Sequence, residues 1–261
     1  MLDEATIAAI AAELADAERE RAVIPRITAR YPEADVEDSY AIQRVWRERR
    51  TAAGARLVGH KIGLTSKAMQ AATGISEPDY GVMFDDTVVD SGAVLELDSF
   101  SNVRIEVELA FRLAAPLSGP DCTTADVLAA TEHVIPALEV LDSHIELEGR
   151  TVVDTIADNA AYGAMVLGGI PTRPDDIDLR WVAALLSRNG EIEETGVAAG
   201  VLGHPATGVA WLANKLHQHG EHLDAGEIVL AGSFTRPMWV QRGDAVLADY
   251  GPMGTITCSF R

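Results

Sequence analysis

The sequence predicts an α+β protein that is rich in β-structure and carries a helical segment at its N-terminus. Helical periodicity is concentrated in residues 1–55, where apolar residues recur every three or four positions. After Gly54 the chain changes to short β-rich runs separated by glycine, proline, asparagine and aspartate. We therefore divide the chain into a helical N-terminal segment, 1–55, and a β-rich domain, 56–261, built as a mostly antiparallel sandwich or roll.

Two helices account for the N-terminal segment. Residues 4–21 have apolar side chains at helical spacing and predict an amphipathic helix. A second helix begins after Asp35, which can cap its N-terminus, and ends at Gly54.

The β-rich domain contains eight runs that predict its strands and hairpins. They are LVGHKIGL, AVLEL, VRIEVELAFRL, IPALEVLD, LRWVAALLSRNGEIEETG, EIVLAG, AVLADYG and TITCSF. The pair Asn189-Gly190 predicts a type I′ hairpin turn within the fifth run. Helices near 124–132 and 205–217 interrupt the strands.

Composition and charge exclude several classes of function. The 261 residues have a formal net charge of -19, which argues against binding to nucleic acid or to anionic membranes. The N-terminus is acidic rather than basic, and no apolar run reaches the roughly 18 residues of a transmembrane helix. Cys122 and Cys258 have neither the spacing of a metal site nor that of a disulfide framework. We predict a soluble cytoplasmic protein.

Two glutamates share one face of a predicted strand. In RIEVELAF, 104–111, Glu106 and Glu108 point the same way and lie roughly 7 Å apart at Cα. Either water bathes this face or a cation lies between the carboxylates. Glu139 interrupts an apolar run, where an isolated carboxylate must be paired, coordinated or protonated. Three oxygen donors match a hard cation, Mg²⁺ first and Mn²⁺ next.

A lysine stands between two glycines in the segment GHKIG. In strand register Gly59, Lys61 and Gly63 lie on one face, so we expect open space around the ammonium group for a ligand. The alternative is a surface lysine on a glycine-rich edge strand.

The segment SEPDYG, 76–81, contains Asp79 and Tyr80, and its Pro78 and Gly81 predict a turn. Two later segments, DTIADNAAYG and GSFTRP, also contain polar side chains where strands or helices are expected to end. The candidate substrate-binding residues from these segments and from the glutamate strand are Tyr80, Arg104, Asn159, Ser233, Thr235 and Arg236. The sequence contains no P-loop, G-x-G-x-x-G, G-x-S-x-G or H-E-x-x-H motif.

Taken together, these segments resemble a known family of enzymes. The motifs that carry the resemblance are GHKIGLTSKAMQ, ISEPDYG, RIEVELAF, IPALEVLD, DTIADNAA, EETGVAAGVLGHPATGVAWLANKL, GSFTRP and DYGPMGTITCSF. They resemble the 2-oxohept-4-ene-1,7-dioate hydratases, which are grouped with 2-oxopent-4-enoate hydratases and 4-oxalocrotonate decarboxylases in the fumarylacetoacetate hydrolase superfamily.

The resemblance implies a fold, a metal site and an assembly. The fold is a fumarylacetoacetate-hydrolase-like mixed β-sandwich or roll with a helical N-terminal region. One Mg²⁺ or Mn²⁺ is held by the residues that match Glu106, Glu108 and Glu139, and the residue that matches Lys61 lies in the substrate pocket. The resemblance also implies a homo-oligomer with five-fold symmetry, a pentamer or decamer.

A hydratase of this kind needs two proton transfers and an added water. The cation would polarise the 2-oxo group while a proton leaves C3 and another is added at C5, after which water adds at C4. We assign the proton transfers to Lys61 first and Asp79 second, and we expect the nearby dication to lower the pKa of Lys61.

Alternatives remain open at the distal end of the substrate. The stretch between Glu139 and Asp154 is shorter than we expect for the closest hydratases. In this it resembles the pentenoate hydratase and decarboxylase relatives. A distal carboxylate needs a cation, for which the candidates are Arg104, Arg150 and Arg236. The competing functions are a 2-oxopent-4-enoate hydratase, a 4-oxalocrotonate-type decarboxylase, an acylpyruvate hydrolase and a non-catalytic partner subunit.

Overall fold

The computed structural model describes residues 1–67, 70 and 77–261. Ser76 of the SEPDYG segment lies outside these residues. The helices are α1 Glu4–Glu20, α2 Ile27–Arg30, α3 Val36–Ala52, α4 Thr124–Ala130, α5 Val152–Ala157 and α6 Pro205–Gln218. Both predicted N-terminal helices are present, and Asp35 caps α3 in a capping box with Asp38. No helix among the described residues is long and apolar enough to cross a membrane.

The strands form two mixed sheets. They are β1 Leu57–Gly63, β2 Asp79–Phe84, β3 Val88–Asp90, β4 Ala93–Leu95, β5 Arg104–Leu113, β6 Thr131–Leu141, β7 Tyr162–Leu167, β8 Ala183–Arg188, β9 Glu191–Val197, β10 Ile228–Leu230, β11 Met238–Trp239, β12 Ala245–Asp249 and β13 Thr255–Phe260. The larger sheet has the order β2-β1-β10-β5-β6-β7-β3, with β11 also paired to β5, and the smaller sheet has the order β4-β13-β12-β8-β9.

Most strand pairs are antiparallel, as predicted. Parallel pairing joins β1 to β10, β3 to β7 and β4 to β13. The turn at Asn189-Gly190 joins β8 to β9, and both residues have the positive φ of a type I′ turn, 55° and 87°.

The segment SEPDYG contradicts the sequence prediction. We predicted a turn, but Asp79 and Tyr80 begin the buried strand β2, which pairs with β1. Position 81 requires glycine because the backbone of Asn159 approaches it closely. A Cβ at this position would lie 2.4 Å from the carbonyl oxygen of Asn159. The glycine that favoured a turn is therefore a packing residue inside a strand.

The main core lies on one face of β5. Ile105, Val107 and Leu109 are fully buried in it, together with residues of the smaller sheet such as Leu186 and Ile256. The side chains of the alternate residues of β5 therefore point to the opposite side of the larger sheet. That opposite side holds the functional groups.

A second core attaches the N-terminal helices to the β-rich domain. Ile10 and Leu14 of α1 and Ile42 of α3 are buried with Ile145 and with Ala157 of α5. The two parts of the chain predicted from the sequence therefore pack against each other.

Candidate active site

Three glutamates converge on the larger sheet. Glu106 of β5 lies directly opposite Glu139 of β6, and Glu108 is the next residue on the same face of β5. Each residue offers one carboxylate oxygen, and these oxygens all lie within 4.8 Å of one another. Glu108 and Glu139 are buried and Glu106 is half-buried. The solvated-face alternative therefore does not apply to this strand.

Burial and mutual repulsion disfavour the charged forms of these glutamates. Burial, together with the charge of Glu139, raises the pKa of Glu106 to about 8 and raises the pKa of Glu108 well above its usual range. Glu108 accepts a hydrogen bond from Gly232 N at Oε2 (2.8 Å), but its buried Oε1 has no hydrogen-bond partner among the described residues. An all-oxygen donor set with an unpartnered buried oxygen fits a hard divalent cation.

Lys61 of β1 joins the cluster through an ion pair. Its Nζ lies 3.1 Å from Glu139 Oε1, and both side chains are buried. Burial alone would lower the pKa of Lys61, but the carboxylates of Glu139 and Asp79 outweigh it and raise the pKa. The charges of the protein thus act in the opposite direction to the lowering that we predicted from a bound cation.

Asp79 lies opposite Gly63 across the β1–β2 pair. Burial raises its pKa, and neither carboxylate oxygen has a hydrogen-bond partner in the part of the chain that the structure describes. A Cβ on Gly63 would lie 2.1 Å from Asp79 Oδ1 and 3.5 Å from Lys61 Nζ. The expected open space beside Lys61 is therefore occupied by the Asp79 carboxylate, and a glycine is required there.

These groups face a cavity of about 990 Å³. Lys61, Asp79 and Glu106 line it, and so do four of the predicted substrate-binding residues: Arg104, Ser233, Thr235 and Arg236. Ser233 and Thr235 hydrogen-bond to each other in the turn that follows β10. Segments far apart in the sequence thus meet at one site.

Two predicted substrate-binding residues lie elsewhere and do not line this cavity. Tyr80 stacks on Tyr40 of α3, with ring centroids 4.5 Å apart. The side-chain amide of Asn159 accepts a hydrogen bond from Val82 N (2.8 Å) and donates one to Val82 O (2.9 Å). In this arrangement both residues support β2, which carries Asp79.

Sequence reasoning missed two residues that position the glutamates. The Tyr250 hydroxyl lies within hydrogen-bond distance of the carbonyl oxygens of Glu108 (3.0 Å) and Ala137 (2.6 Å), between which its one hydrogen is shared, and this contact ties β5 to β6 beneath the cluster. Gly232 adopts a φ of +113°, and a Cβ there would lie 2.1 Å from Thr65 Oγ1. A glycine directly after a buried strand was the available signal for the second residue.

A second buried charge cluster lies just beyond β6, and we call it the histidine cluster: His144, Asp142 and Asp158. His144 Nε2 lies 3.3 Å from Asp142 Oδ2, and Nδ1 lies 3.0 Å from Asp158 Oδ1. Burial opposes the charge on the imidazole, but the two carboxylates raise the pKa of His144 to about 10. Backbone N–H groups of Ser101 and Asn102 donate to Asp142 Oδ1, each at 2.8 Å.

Comparison with known sequences finds relatives over the whole chain. The chain is 55% identical over 266 residues to the 2-oxo-hept-4-ene-1,7-dioate hydratase of Escherichia coli, with 100% of both chains covered. It is 37% identical to the 4-oxalocrotonate decarboxylase of Pseudomonas putida, covering 99% of this chain and 98% of that protein. It is 38% identical to the 2-keto-4-pentenoate hydratase of Paraburkholderia xenovorans, covering 88% and 86%. No family model matches the chain.

Solved structures give the same result. The 4-oxalocrotonate decarboxylase from Pseudomonas putida G7, complexed with magnesium and adipate, matches with a TM-score of 0.98 at 36% identity, covering 100% of this chain and 99% of that one. The fumarylpyruvate hydrolase from Pseudomonas aeruginosa, in complex with Mn²⁺ and pyruvate, matches with a TM-score of 0.62 at 16% identity, covering 78% and 89%. The second match concerns the fold alone.

Proposed function

The chain belongs to the family of 2-oxo-hept-4-ene-1,7-dioate hydratases, 2-keto-4-pentenoate hydratases and 4-oxalocrotonate decarboxylases, and we propose that it is a metal-dependent hydro-lyase of this family. Its proposed reaction adds water to 2-oxohept-4-ene-1,7-dioate and gives 4-hydroxy-2-oxoheptanedioate. The observation that carries the proposal is the full-length identity of 55% to a hydratase of that substrate. The three clustered glutamates supply groups that the chemistry needs, and Glu106, Lys61 and Asp79 line one cavity.

The proposed cation, Mg²⁺ or Mn²⁺, would be held by Glu106, Glu108 and Glu139. When bound, it supplies Lewis-acid polarisation of the 2-oxo group of the substrate. The chain's own part is to keep three carboxylates converged by the β5–β6 pairing and by the Tyr250 hydrogen bonds. The support is the oxygen-only donor set and the unpartnered oxygen of Glu108.

Asp79 is the proposed proton-transfer group and Lys61 the proposed hydrogen-bond donor, which reverses the order that we predicted from the sequence. A carboxyl whose pKa is raised by burial suits proton exchange nearer neutral pH, so Asp79 would take the proton from C3 and return it at C5. Lys61 Nζ would keep its proton and donate a hydrogen bond to the oxygen that gains negative charge. Water then adds its hydroxyl at C4 and its proton at C3, which completes the hydration.

The surroundings of the reaction are also part of the proposal. We place the enzyme in the cytoplasm, in the meta-cleavage catabolism of aromatic acids such as homoprotocatechuate, as a homo-oligomer with five-fold symmetry, a pentamer or decamer. The net charge of -19 supports a small-molecule substrate rather than a nucleic acid or an anionic membrane as the partner.

A decarboxylase is the second candidate. The TM-score of 0.98 to a 4-oxalocrotonate decarboxylase favours it, since the same site could stabilise the same enolate while the substrate loses CO₂. Hydration of the shorter 2-oxopent-4-enoate is the remaining alternative, for which the 38% identity to a 2-keto-4-pentenoate hydratase is the support.

The products of three parallel incubations separate these candidates. The purified protein loaded with Mg²⁺ is mixed separately with 2-oxohept-4-ene-1,7-dioate, with 2-oxopent-4-enoate and with a 2-oxo-3-enedioate, and the products are identified by mass. A gain of one water that EDTA abolishes is expected. Release of CO₂ would assign the protein to the decarboxylases, and hydration of 2-oxopent-4-enoate alone would mean a monoacid substrate.

A further inference from the structure

Arg104 stands in line with the glutamates on β5. Arg104, Glu106 and Glu108 are alternate residues of the strand and so point to the same side of the sheet. One step of two residues along a strand is roughly 7 Å, so Arg104 lies one step beyond Glu106 on the side away from Glu108. A molecule held at the glutamates and extended along β5 would reach its guanidinium group.

The guanidinium of Arg104 is held in place but has no anion beside it among the described residues. Its Cζ lies 5.3 Å from the centre of the Trp239 ring, and its strand neighbours are Trp239 and Leu141. Nε and Nη2 are buried and have no hydrogen-bond partner among the described residues. Within that same part of the chain no salt bridge involves Arg104. A buried guanidinium with free N–H groups is costly unless an acceptor reaches it.

The other cations on the cavity are less available. Lys61 is paired with Glu139. Arg236 is 79% exposed and its guanidinium is bound by Glu194, with Nη2 2.8 Å from Oε1. Arg150 is half-buried and lines the same cavity, and its Nη1 donates to Ser143 Oγ at 2.9 Å. Because Arg150 lines the same cavity as Arg104, it can add a second positive charge there.

We infer that Arg104, supported by Arg150, binds the distal carboxylate of a 2-oxo dicarboxylate whose 2-oxo end lies at the glutamates. This inference rests on the proposed function and names the residues that bind the second carboxylate of its dicarboxylate substrate. Of the three candidate cations left open by the sequence, the structure favours Arg104 with Arg150 over Arg236. The planar fork of an arginine matches a carboxylate with two parallel hydrogen bonds.

Kinetics on two matched substrates test this assignment. The substrates are 2-oxohept-4-ene-1,7-dioate and 2-oxohept-4-enoate, which has the same carbon chain without the distal carboxylate. In Arg104→Gln we expect kcat/KM for the diacid to fall about 100-fold, as for loss of a paired charge-assisted hydrogen bond, and the diacid-to-monoacid ratio to fall by a similar factor. Arg104→Lys should recover part of the ratio, because it keeps the charge without the fork.

Arg112→Gln is the matched control. It removes an exposed arginine from the same strand, outside the cavity, and should leave the ratio at the wild-type value. Thermal melting of every variant checks that each is folded. An equal loss of kcat/KM for both substrates in Arg104→Gln would overturn the inference, since it would show a general structural or catalytic role.

A binding measurement keeps this test separate from the proposed function. Calorimetric titration of the Mg²⁺-loaded protein compares adipate with hexanoate, which lacks the second carboxylate. Adipate should bind more tightly than hexanoate to the wild type, and the difference should disappear in Arg104→Gln. If wild type turns over neither substrate, the proposed function fails while the titration still decides the inference. Equal binding of adipate and hexanoate to the wild type would overturn it.

Discussion

Two clusters of buried charge lie at the end of β6, and they differ in how their groups are satisfied. In the glutamate cluster, Glu108 Oε1 is buried without a hydrogen-bond partner among the described residues, and like charges face one another. In the histidine cluster opposite charges face one another: His144 lies between Asp142 and Asp158, and backbone N–H groups donate to both carboxylates, although His144 Nε2 makes only a 3.3 Å ion pair with Asp142 and no hydrogen bond among the described residues. The protein alone balances the second cluster, whereas the first needs a ligand.

The difference separates function from stability. A buried carboxylate without a partner raises the free energy of the folded state until a cation or a proton neutralises it. A buried histidine between two aspartates stabilises the folded state as long as it keeps its proton. Charged residues of the glutamate cluster should therefore affect activity far more than stability, and those of the histidine cluster should do the reverse.

The largest effect is expected in Glu106→Gln. Loss of one carboxylate should lower kcat/KM about 10⁴-fold, because the cation contributes several kcal/mol to catalysis and each tenfold corresponds to about 1.4 kcal/mol. In EDTA the melting temperature should stay equal or rise, since a repelling charge is gone. Kinetics, calorimetric titration of Mg²⁺ and thermal melting measure these quantities.

Glu132→Gln is the control for that variant. Glu132 lies on the neighbouring β6 and is exposed, with long contacts of 4.0 Å to Arg112 and 3.9 Å to His133 Nδ1. It should leave both activity and Mg²⁺ binding at wild-type values. A large fall of the melting temperature in EDTA for Glu106→Gln would contradict the comparison, because it would show that Glu106 stabilises the fold by itself.

Lys61→Met is expected to have the next largest effect. Removal of the ammonium group should lower kcat roughly 10³-fold, the upper end of the range for loss of one hydrogen-bond donor to a developing oxyanion. The substitution also removes the positive charge that lies 3.1 Å from Glu139. Because Mg²⁺ then no longer competes with an ammonium group for this carboxylate, it should bind at least as tightly as in the wild type. Unchanged turnover would remove Lys61 from the mechanism. Weaker Mg²⁺ binding would show that the lysine helps to build the metal site.

Local patterns predicted much of the fold and part of the site. The capping box at Asp35, the hairpin at Asn189-Gly190 and the two-residue period around Glu106 each depend on neighbours in sequence, and the structure has all three. The strand at Asp79 was missed because Gly81 has a role that only distant packing explains, against the Asn159 carbonyl.

The rest of the site depends on contacts between segments far apart in the chain. Asp79 fills the space above Gly63, and Tyr250 supports Glu108 from 142 residues away in sequence. No local period or spacing in the sequence predicts such contacts, because they form only when the sheets are assembled. That Arg104 Nε and Nη2 are buried without a hydrogen-bond partner in the described part of the chain is likewise a property of the folded protein.

Asp158→Ala tests the other side of the comparison. Asp158 accepts hydrogen bonds from His144 N (2.7 Å) and Ser143 Oγ (3.1 Å) and pairs with the imidazole. Its removal leaves buried groups without partners and should lower the free energy of unfolding by about 3 kcal/mol. Urea unfolding in EDTA measures the loss, and Asp98→Ala, which breaks an exposed pair with Arg242, should cost less than about 1 kcal/mol. Equal losses in the two variants would remove the distinction.

The pH dependence of stability is the smallest expected effect. The folded pKa of His144, about 10, lies above its ordinary value of 6.5, so the folded state retains a proton that the unfolded chain loses. Its stabilisation is complete below pH 6.5 and is lost as the pH rises through about 10. The lowered pKa of Asp142 has the opposite effect on stability. Its stabilisation is present above pH 3.8 and is lost as the pH falls below that value.

Urea unfolding of the wild type and His144→Gln between pH 6 and pH 9 isolates the histidine, because the glutamate cluster contributes equally to both proteins. The wild-type free energy of unfolding should fall with rising pH more steeply than that of the variant, by on the order of 1–2 kcal/mol across the range. Parallel curves would mean that His144 is neutral in the folded protein. The histidine cluster would then contain two unbalanced carboxylates, as the glutamate cluster does, and would itself need a ligand.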